Sequence, residues 1–291
     1  MVVDRAPSPT SDAPVWFKAV VEGAGYEPPL TELLAGLRPH DLPELIAIDI
    51  ERGWMLMRDG GIRLRDLGGE LDAWETIQPA YAELQLATAS EVGGLLDLGV
   101  PDERLDGLPD RLTQLLGDET FLMLDEPEGL TSAERDRLVT QIPRVEGLCR
   151  ELAGLGIPAT IQHDDLHGGN VLVRNGHFRV LDWGDACVSH PFHSLTVLLR
   201  ATAWKLDLEP GGPELQRMRD AYLEPFTAFG TRQELTEAAE LAYRTGTIAR
   251  SLAWYRALAA LPPSARAEDL DSIPYGLQRF LEEAPIGSWR W

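Results

Sequence analysis

The chain has 291 residues, 44% of them hydrophobic, and 47 acidic residues against 26 Lys plus Arg give a formal net charge of −21 at pH 7. This length suits one large domain or two lobes that share a cleft. The charge argues against a nucleic-acid partner, because phosphate binding needs clustered cations. No run of about 18 apolar residues occurs, so we expect no membrane span.

The N-terminal residues lack the apolar core of a secretion signal. Their Pro and Ser content indicates a flexible leader over residues 1–13. The two cysteines, Cys149 and Cys187, have no metal-ligand spacing, and we expect free thiols in a reducing compartment. The predicted location is therefore the cytoplasm.

A short strand-rich region follows the leader. Residues 15–20 alternate as a strand does and carry Lys18, for which this segment alone favours a surface lysine. Leucine spacing predicts a helix near residues 30–37, and residues 44–50 and 54–58 read as an antiparallel strand pair. Glycines directly after this pair predict a boundary between an N-lobe over residues 14–59 and a C-lobe over residues 60–291.

Helical patterns dominate the remainder of the chain. One covers residues 71–89, and Thr131 and Thr231 each begin a capping box ahead of a longer helix. Residues 93–128 are punctuated by Gly and Pro and indicate a loop with short helical pieces. This order predicts the α+β class with two lobes.

The most informative stretch lies at residues 161–195. Asn175-Gly176 separates two short strand patterns and favours a type I′ turn, so we predict a β-hairpin. The hairpin brings Asp182 beside Asn170, with Asp165 one loop away. Carboxylate and amide oxygens in that combination suit a hard divalent cation and a base.

A second interpretation uses the histidines of the same stretch. His163, Asp165 and His167 alternate as zinc ligands do, and His190 and His193 are available as further ligands. No His-Glu-x-x-His pattern is present. A metal-dependent hydrolase is therefore a less favoured alternative.

The sequence from His163 to Asp185 resembles the aminoglycoside phosphotransferase (APH) family of kinase-like small-molecule phosphotransferases. That family has His-Gly-Asp-x-His-x-x-Asn followed by Ile/Leu-Asp-Trp. The five-residue separation of Asp165 and Asn170 is also the separation of the catalytic Asp and the Mg²⁺-binding Asn in protein kinases. The resemblance implies a protein-kinase-like bilobal fold with a small, truncated β-rich N-lobe and a large helical C-lobe. It also implies transfer of the γ-phosphate of ATP or GTP, with Mg²⁺, to a hydroxyl group of a small molecule.

The resemblance assigns roles to five residues. Asp165 would be the catalytic base or would orient the acceptor hydroxyl. Asn170 and Asp182 would hold Mg²⁺ on the nucleotide phosphates. Lys18 would contact the α- and β-phosphates and pair with Glu27, the nearby Glu32 being the second choice.

Further residues are implied on the same basis. Main-chain groups of Met57, Arg58 and Asp59 would form the hinge that receives the adenine. His167 stands where protein kinases have a lysine facing the γ-phosphate, and a hydrogen bond that orders the loop is an equal alternative. His163, His167 and Asp185 are expected to support the site.

The chain departs from the family pattern in two ways. Only 17 residues precede Lys18, fewer than the roughly 25–30 that two strands and a phosphate-covering loop need, which predicts weakened nucleotide affinity. In addition, Asp164 replaces the Gly before the catalytic Asp. Downstream, residues 190–195 lack the Asp-Leu of the family, so His193 or Ser194 would have to support the loop.

Two hypotheses from different classes follow from these patterns. The first is a phosphotransferase that acts on an aminoglycoside-like or other amine-bearing alcohol, with which the negative charge of the chain is compatible. The second is a catalytically weak or inactive kinase-like binding protein that lacks the phosphate-covering loop. The sequence makes no prediction of oligomeric state.

Overall fold

The computed structural model describes residues 2–6, 14–266 and 269–288. The chain divides into two compact units. Unit 1 comprises Met1–Asp102, Pro158–Pro191 and Asp220–Pro225, and unit 2 comprises Glu103–Ile157, Phe192–Arg219 and Phe226–Trp291. This division does not follow the predicted lobe boundary after residue 59, because unit 1 also includes the later strands. The bounds 14–59 and 60–291 stay a prediction.

Unit 1 begins with a four-stranded antiparallel sheet in the order β1-β2-β4-β3. Its elements are β1 (Val2–Ala6), β2 (Val15–Ala19), helix α1 (Glu27–Leu37), β3 (Leu45–Asp49) and β4 (Trp54–Arg58). In the central pair, Lys18 of β2 lies opposite Met55 of β4. Alternation along β2 therefore places Trp16 and Lys18 on the same face of the sheet.

The prediction of a flexible leader over residues 1–13 is wrong for strand β1. Val2–Ala6 is extended and pairs antiparallel with β2, with Val3 opposite Lys18. The pairing gives hydrogen-bond partners to main-chain groups along an edge of β2 that would otherwise be open. The composition of the following Pro- and Ser-rich residues hid this strand. Residues 1 and 7–13, the remainder of the predicted leader, lie outside the described residues.

The later strands of unit 1 form two small sheets. The elements are β5 (Ile62–Arg63), α2 (Glu70–Ala87), α3 (Val92–Asp97), β6 (Thr160–Gln162), β7 (Val171–Arg174), β8 (His177–Val180) and β9 (Cys187–Ser189). One sheet has the order β5-β7-β8, and the other pairs β6 with β9. The predicted hairpin is confirmed: Asn175 and Gly176 have φ of 53° and 76°, as a type I′ turn requires.

Unit 2 is helical. Its helices are α4 (Leu108–Leu116), α5 (Ser132–Ala153), α6 (Ser194–Leu206), α8 (Arg232–Ala259) and α9 (Ser272–Leu281), while α7 (Pro213–Leu223) has residues in both units. Leucines of α4, α5, α8 and α9 build the largest part of one apolar core. The capping boxes at Thr131 and Thr231 are both present, as predicted.

The predicted fold class is confirmed, because a small strand-rich part precedes a larger helical part in an α+β chain. Among residues 2–6, 14–266 and 269–288, no helix has the length and apolar character needed to cross a membrane.

We expect His193 to make the protein sensitive to acid. Its ring is fully buried in unit 2 and its Nε2 lies 2.9 Å from Thr245 Oγ1. Burial lowers the pKa of His193 to about 3. The unfolded chain binds a proton near pH 6.5 and the native state does not, so stability is lost as the pH falls from 6.5 towards 3.

Urea unfolding at pH 7 and pH 5 measures this effect. His193→Gln keeps a donor for Thr245. Between pH 7 and pH 5, we expect the unaltered protein to lose about 2 kcal/mol more unfolding free energy than this variant. The exposed His40 provides the control, since His40→Gln should follow the unaltered protein. Equal pH slopes in all three proteins would contradict the prediction.

Candidate active site

A buried lysine joins three parts of unit 1. Lys18 of β2 is 4% exposed and forms an ion pair with Glu27, the first residue of α1. Its Nζ also lies 2.6 Å from Asp182 Oδ1, at the end of the β7–β8 hairpin. The surface interpretation of Lys18 is thus wrong. Glu32, the second choice of partner, is exposed.

Helix α1 is fixed at its start by contacts to the chain that follows Asp182. Tyr26 precedes the helix, and its hydroxyl donates to the carbonyl of Gly184, with the carbonyl of Ala186 at 3.3 Å. Burial raises the pKa of Glu27, and the Lys18 ammonium beside it acts in the opposite direction. Burial therefore disfavours the charged form of Glu27, and the ion pair with Lys18 offsets part of this effect.

The hairpin places Asp182 beside Asn170. The main-chain N–H of Leu181 donates to the carbonyl of Asn170 at 3.0 Å, which extends the β7–β8 ladder by one pair. Asp182 itself has φ of 68°, in the left-handed region, so the chain turns sharply after the strand. Short polar residues such as Asp occupy this region more readily than other side chains with a Cβ.

Asp165 receives hydrogen bonds from within its own loop. The side-chain amide of Asn170 donates to the Asp165 carbonyl at 2.9 Å and to its Oδ2 at 3.1 Å. His167 Nε2 lies 3.3 Å from the same Oδ2, while its Nδ1 accepts from the Gly169 N–H at 2.9 Å. A Cβ on Gly169 would lie 2.6 Å from the His167 ring, so glycine is needed for this approach. His167 thus orders the loop.

His163 is a buried connector between the loop and the hairpin. Its Nδ1 accepts from the Asp165 N–H at 3.3 Å, and its Nε2 donates to the Leu181 carbonyl at 2.8 Å. Its ring packs against Trp183, with the ring centroids 4.7 Å apart. Burial lowers the pKa of His163, which keeps the ring in the neutral form that these two bonds require.

These bonds count against the zinc interpretation. A zinc ligand needs a ring nitrogen with a lone pair directed at the metal, and both nitrogens of His163 face main-chain groups. His193 Nε2 faces Thr245 in unit 2. In the part of the chain that the structure describes, no three His, Cys, Asp or Glu side chains are arranged to hold a metal ion.

The structure accounts for Asp164, the residue that replaces a family glycine. Asp164 has φ of 61°, a conformation that glycine adopts at no steric cost. Its side chain is buried, and its Oδ1 accepts from Gln162 Nε2 at 2.9 Å. A local hydrogen bond thus offsets part of the cost of a Cβ at this position.

The predicted hinge borders a cavity of about 500 Å³. The cavity is lined by Trp16, Asp59, Gly61, Ile62, Val173, Arg174 and Asn175. Asp59 has main-chain partners, because its N–H donates to Pro14 at 3.3 Å and its carbonyl accepts from Arg174 at 2.8 Å. Met57 is buried within β4, and Arg58 pairs with Glu44.

Asp185 is exposed, at the end of a short 3₁₀ helix after Asp182.

The sequence interpretation missed the residues that hold the loop from outside. Tyr81 and Gln85 of α2 and Thr88, the C-cap of that helix, bond to residues 161–163, and Tyr222 bonds to Gln85. Their signal was present as polar residues at helical spacing on the face of α2 that is otherwise apolar. Trp16 was also overlooked, although alternation places it on the face of β2 that carries Lys18.

Among the comparisons with known proteins, a family model shows the family and solved structures show the fold. A family model described as a phosphotransferase enzyme family (APH) matches residues 29–241. No curated protein matches the sequence. Several solved structures share the fold at low sequence identity, which shows similarity of fold alone.

Three of these structures cover nearly the whole chain. The Plasmodium vivax ethanolamine kinase is 16% identical with a TM-score of 0.61, covering 97% of this chain and 78% of that one. The choline kinase LicA of Streptococcus pneumoniae is 14% identical with a TM-score of 0.58, covering 97% and 92%. The macrolide 2′-phosphotransferase of Brachybacterium faecium is 16% identical with a TM-score of 0.56, covering 93% and 87%.

Backbone conformation at Asp164 gives a stability prediction. Asp164→Ala loses the bond to Gln162 and keeps a Cβ in the left-handed region, whereas Asp164→Gly removes that strain. We expect the Gly variant to be the more stable of the two, with a free energy of unfolding about 1 kcal/mol higher than that of the Ala variant. Asp136, exposed within α5, is the control, because there Gly should be about 1 kcal/mol worse than Ala. The same order at both positions in urea unfolding would refute the argument.

Proposed function

This chain belongs to the APH phosphotransferase enzyme family, and we propose that it transfers the γ-phosphate of ATP or GTP, bound with Mg²⁺, to a hydroxyl group of a small molecule. One observation carries the proposal. Three segments of the chain, which carry Lys18, the pair Asp165 and Asn170, and Asp182, are joined by hydrogen bonds and an ion pair. The resemblance seen in residues 163–185 is confirmed at the level of the family.

The cationic part of the site is Lys18. Phosphoryl transfer is mainly positioning and charge neutralisation, and a lysine held in a fixed place provides both for the nucleotide phosphates. Glu27 orients the ammonium from one side, and Asp182 lies on the other. A bound phosphate group would share Lys18 with Glu27, while Asp182 would turn to the metal ion.

The residues for Mg²⁺ are Asn170 and Asp182. The amide nitrogen of Asn170 is used by Asp165, so its oxygen is the atom that remains for a cation. Asp182 adds a carboxylate, and both are the hard oxygen ligands that Mg²⁺ prefers, with phosphate and water completing its shell. When bound, the ion would neutralise developing phosphate charge.

Asp165 is the proposed catalytic residue. Asn170 and His167 hold one carboxylate oxygen, which fixes the orientation of the group towards an acceptor hydroxyl. A carboxylate so placed orients the nucleophile and accepts its proton. His163 holds the main chain of Asp165 and takes no part in proton transfer, because both its nitrogens are engaged.

The cavity beside Asp59 is the proposed site of the nucleobase. Its volume of about 500 Å³ falls in the range of small-molecule pockets. Trp16 offers an indole wall for stacking, and it lies on the same face of β2 as Lys18. Of the predicted hinge residues, Asp59 lines this cavity and directly follows Met57 and Arg58 at the end of β4.

The acceptor class is proposed from charge and from the similar structures. Two of these are kinases of ethanolamine and choline, both amine-bearing alcohols. A net charge of −21 favours the approach of a cation. We therefore propose an amine-bearing alcohol as the acceptor.

Replacing the proposed base tests the activity. We expect Asp165→Asn to lower kcat about 10²- to 10⁴-fold, because the amide cannot accept the hydroxyl proton. Nucleotide binding, measured by calorimetry with Mg²⁺, should persist. Asp136→Asn on the exposed face of α5 is the control and should keep full turnover. Nucleotide binding without turnover in the unaltered protein would instead favour the kinase-like binding protein.

Replacing the lysine tests nucleotide binding. We expect Lys18→Met to weaken ATP affinity about 10- to 100-fold, since a charged hydrogen bond to phosphate is lost. The chain has a single other lysine, the exposed Lys205, and Lys205→Met is the matched control. Circular dichroism should confirm folding, because the substitution leaves Glu27 buried without its partner. Equal affinity in both variants would refute the role of Lys18.

A further inference from the structure

Helix α2, together with Thr88 at its C-cap, carries a row of polar side chains on its buried face. Tyr81, Gln85 and Thr88 are each 0% exposed. Their spacing of four and three residues places them on one face of the helix. Buried polar groups cost free energy unless they have hydrogen-bond partners, so the partners of this row indicate its role.

Two of the three side chains bond the main chain of Ile161, the residue in the middle of β6. The Ile161 N–H donates to Thr88 Oγ1 at 3.0 Å, and Gln85 Nε2 donates to the Ile161 carbonyl at 3.0 Å. Strand β6 has three residues and, among the strands that the structure describes, pairs only with β9, where Ile161 lies opposite Val188. The side chains of α2 thus take the place of a further strand along the other edge of β6.

The row continues into the catalytic loop through Tyr81. The N–H of His163 donates to the Tyr81 hydroxyl at 3.1 Å. His163 Nδ1 in turn accepts from the N–H of Asp165 at 3.3 Å. Two successive hydrogen bonds therefore connect α2 to the main chain of the proposed catalytic carboxylate.

Tyr222 fixes the orientation of Gln85. Its hydroxyl lies 2.6 Å from Gln85 Oε1 and 2.7 Å from the Pro191 carbonyl, and its single proton serves one of them at a time. Gln85 Nε2 also approaches the Pro191 carbonyl at 3.4 Å. Burial raises the pKa of Tyr222, so the hydroxyl keeps its proton. Gln85 thus ties Ile161, before the loop, to Pro191, after β9.

We propose that Gln85, aided by Tyr81 and Tyr222, is a positioning residue that sets the place of Asp165 relative to the acceptor hydroxyl. The proposal rests on the proposed function, because it concerns the same carboxylate. Gln85 acts through main-chain groups of residues 161–165 and touches neither substrate. A displacement of about 1 Å in a catalytic group costs about 10²-fold in rate. The loss of this support should therefore lower kcat and leave substrate affinity nearly unchanged.

The chain offers a matched control in the same helix. Gln78 is also a glutamine of α2 and is 0% exposed. Within the part of the chain that the structure describes, both polar atoms of its side chain are without a hydrogen-bond partner. Gln78→Met and Gln85→Met thus make the same chemical change at the same burial. Only the second removes bonds to β6.

The first measurement is steady-state kinetics with ATP, Mg²⁺ and ethanolamine, choline and kanamycin as acceptor probes. We expect Gln85→Met to lower kcat about 10- to 100-fold with KM for ATP changed less than about twofold. Tyr81→Phe should act in the same direction, and Tyr222→Phe less. Gln78→Met should keep kcat. A loss of kcat in Gln78→Met as large as in Gln85→Met would overturn the proposal, since general loosening of the helix would then suffice.

The second measurement needs no turnover, and it separates this proposal from the proposed function. Amide hydrogen exchange of peptides covering residues 160–167 should be faster in Gln85→Met and Tyr81→Phe than in Gln78→Met, at conditions of equal global stability. Faster exchange in a protein that transfers no phosphate would refute the proposed function and leave the positioning of the loop supported. Unchanged exchange in these peptides would overturn the positioning role, whatever the activity.

Discussion

Lys18 places a positive charge at a residue that is 4% exposed, and it forms ion pairs with two carboxylates, 9 and 164 positions away in sequence. A buried ammonium without partners would be very costly, so strand β2, helix α1 and the end of the β7–β8 hairpin must keep their relative places. Tyr26 adds a second link between α1 and the chain after Asp182. The ion pairs therefore set the geometry of the site proposed for the nucleotide and the metal ion.

Support of the acceptor side follows a different principle. Asp165 stands in a loop whose short strand, β6, has one neighbouring strand, so main-chain groups on its other edge need partners from elsewhere. Helix α2 provides them through neutral side chains, and His163 transmits the constraint to Asp165. Ion pairs thus hold Lys18, on the proposed nucleotide side, and neutral hydrogen bonds hold the loop of Asp165, on the proposed acceptor side.

Local patterns allowed the hairpin, both capping boxes, the fold class and the family to be predicted, because each depends on residues close together in sequence. Its own segment favoured a surface position for Lys18, since its partner Asp182 lies 164 positions away, and only the family resemblance gave it Glu27 as a partner. Strand β1 was missed because its pairing depends on the edge of β2 and not on its own composition. The bonds of Tyr81, Gln85 and Tyr222 to the loop depend equally on tertiary contacts. The roles of the site residues stay predictions.

The scarcity of lysine has a consequence for chemical labelling. The chain has two lysines, and one of them is enclosed by Glu27 and Asp182 while Lys205 is exposed on α6. Acylation requires an accessible amine, and Lys18 is buried and paired with two carboxylates. Amine-directed reagents will therefore distinguish the two side chains sharply. Acylation of Lys18 would therefore report the loss of its ion pairs with Glu27 and Asp182.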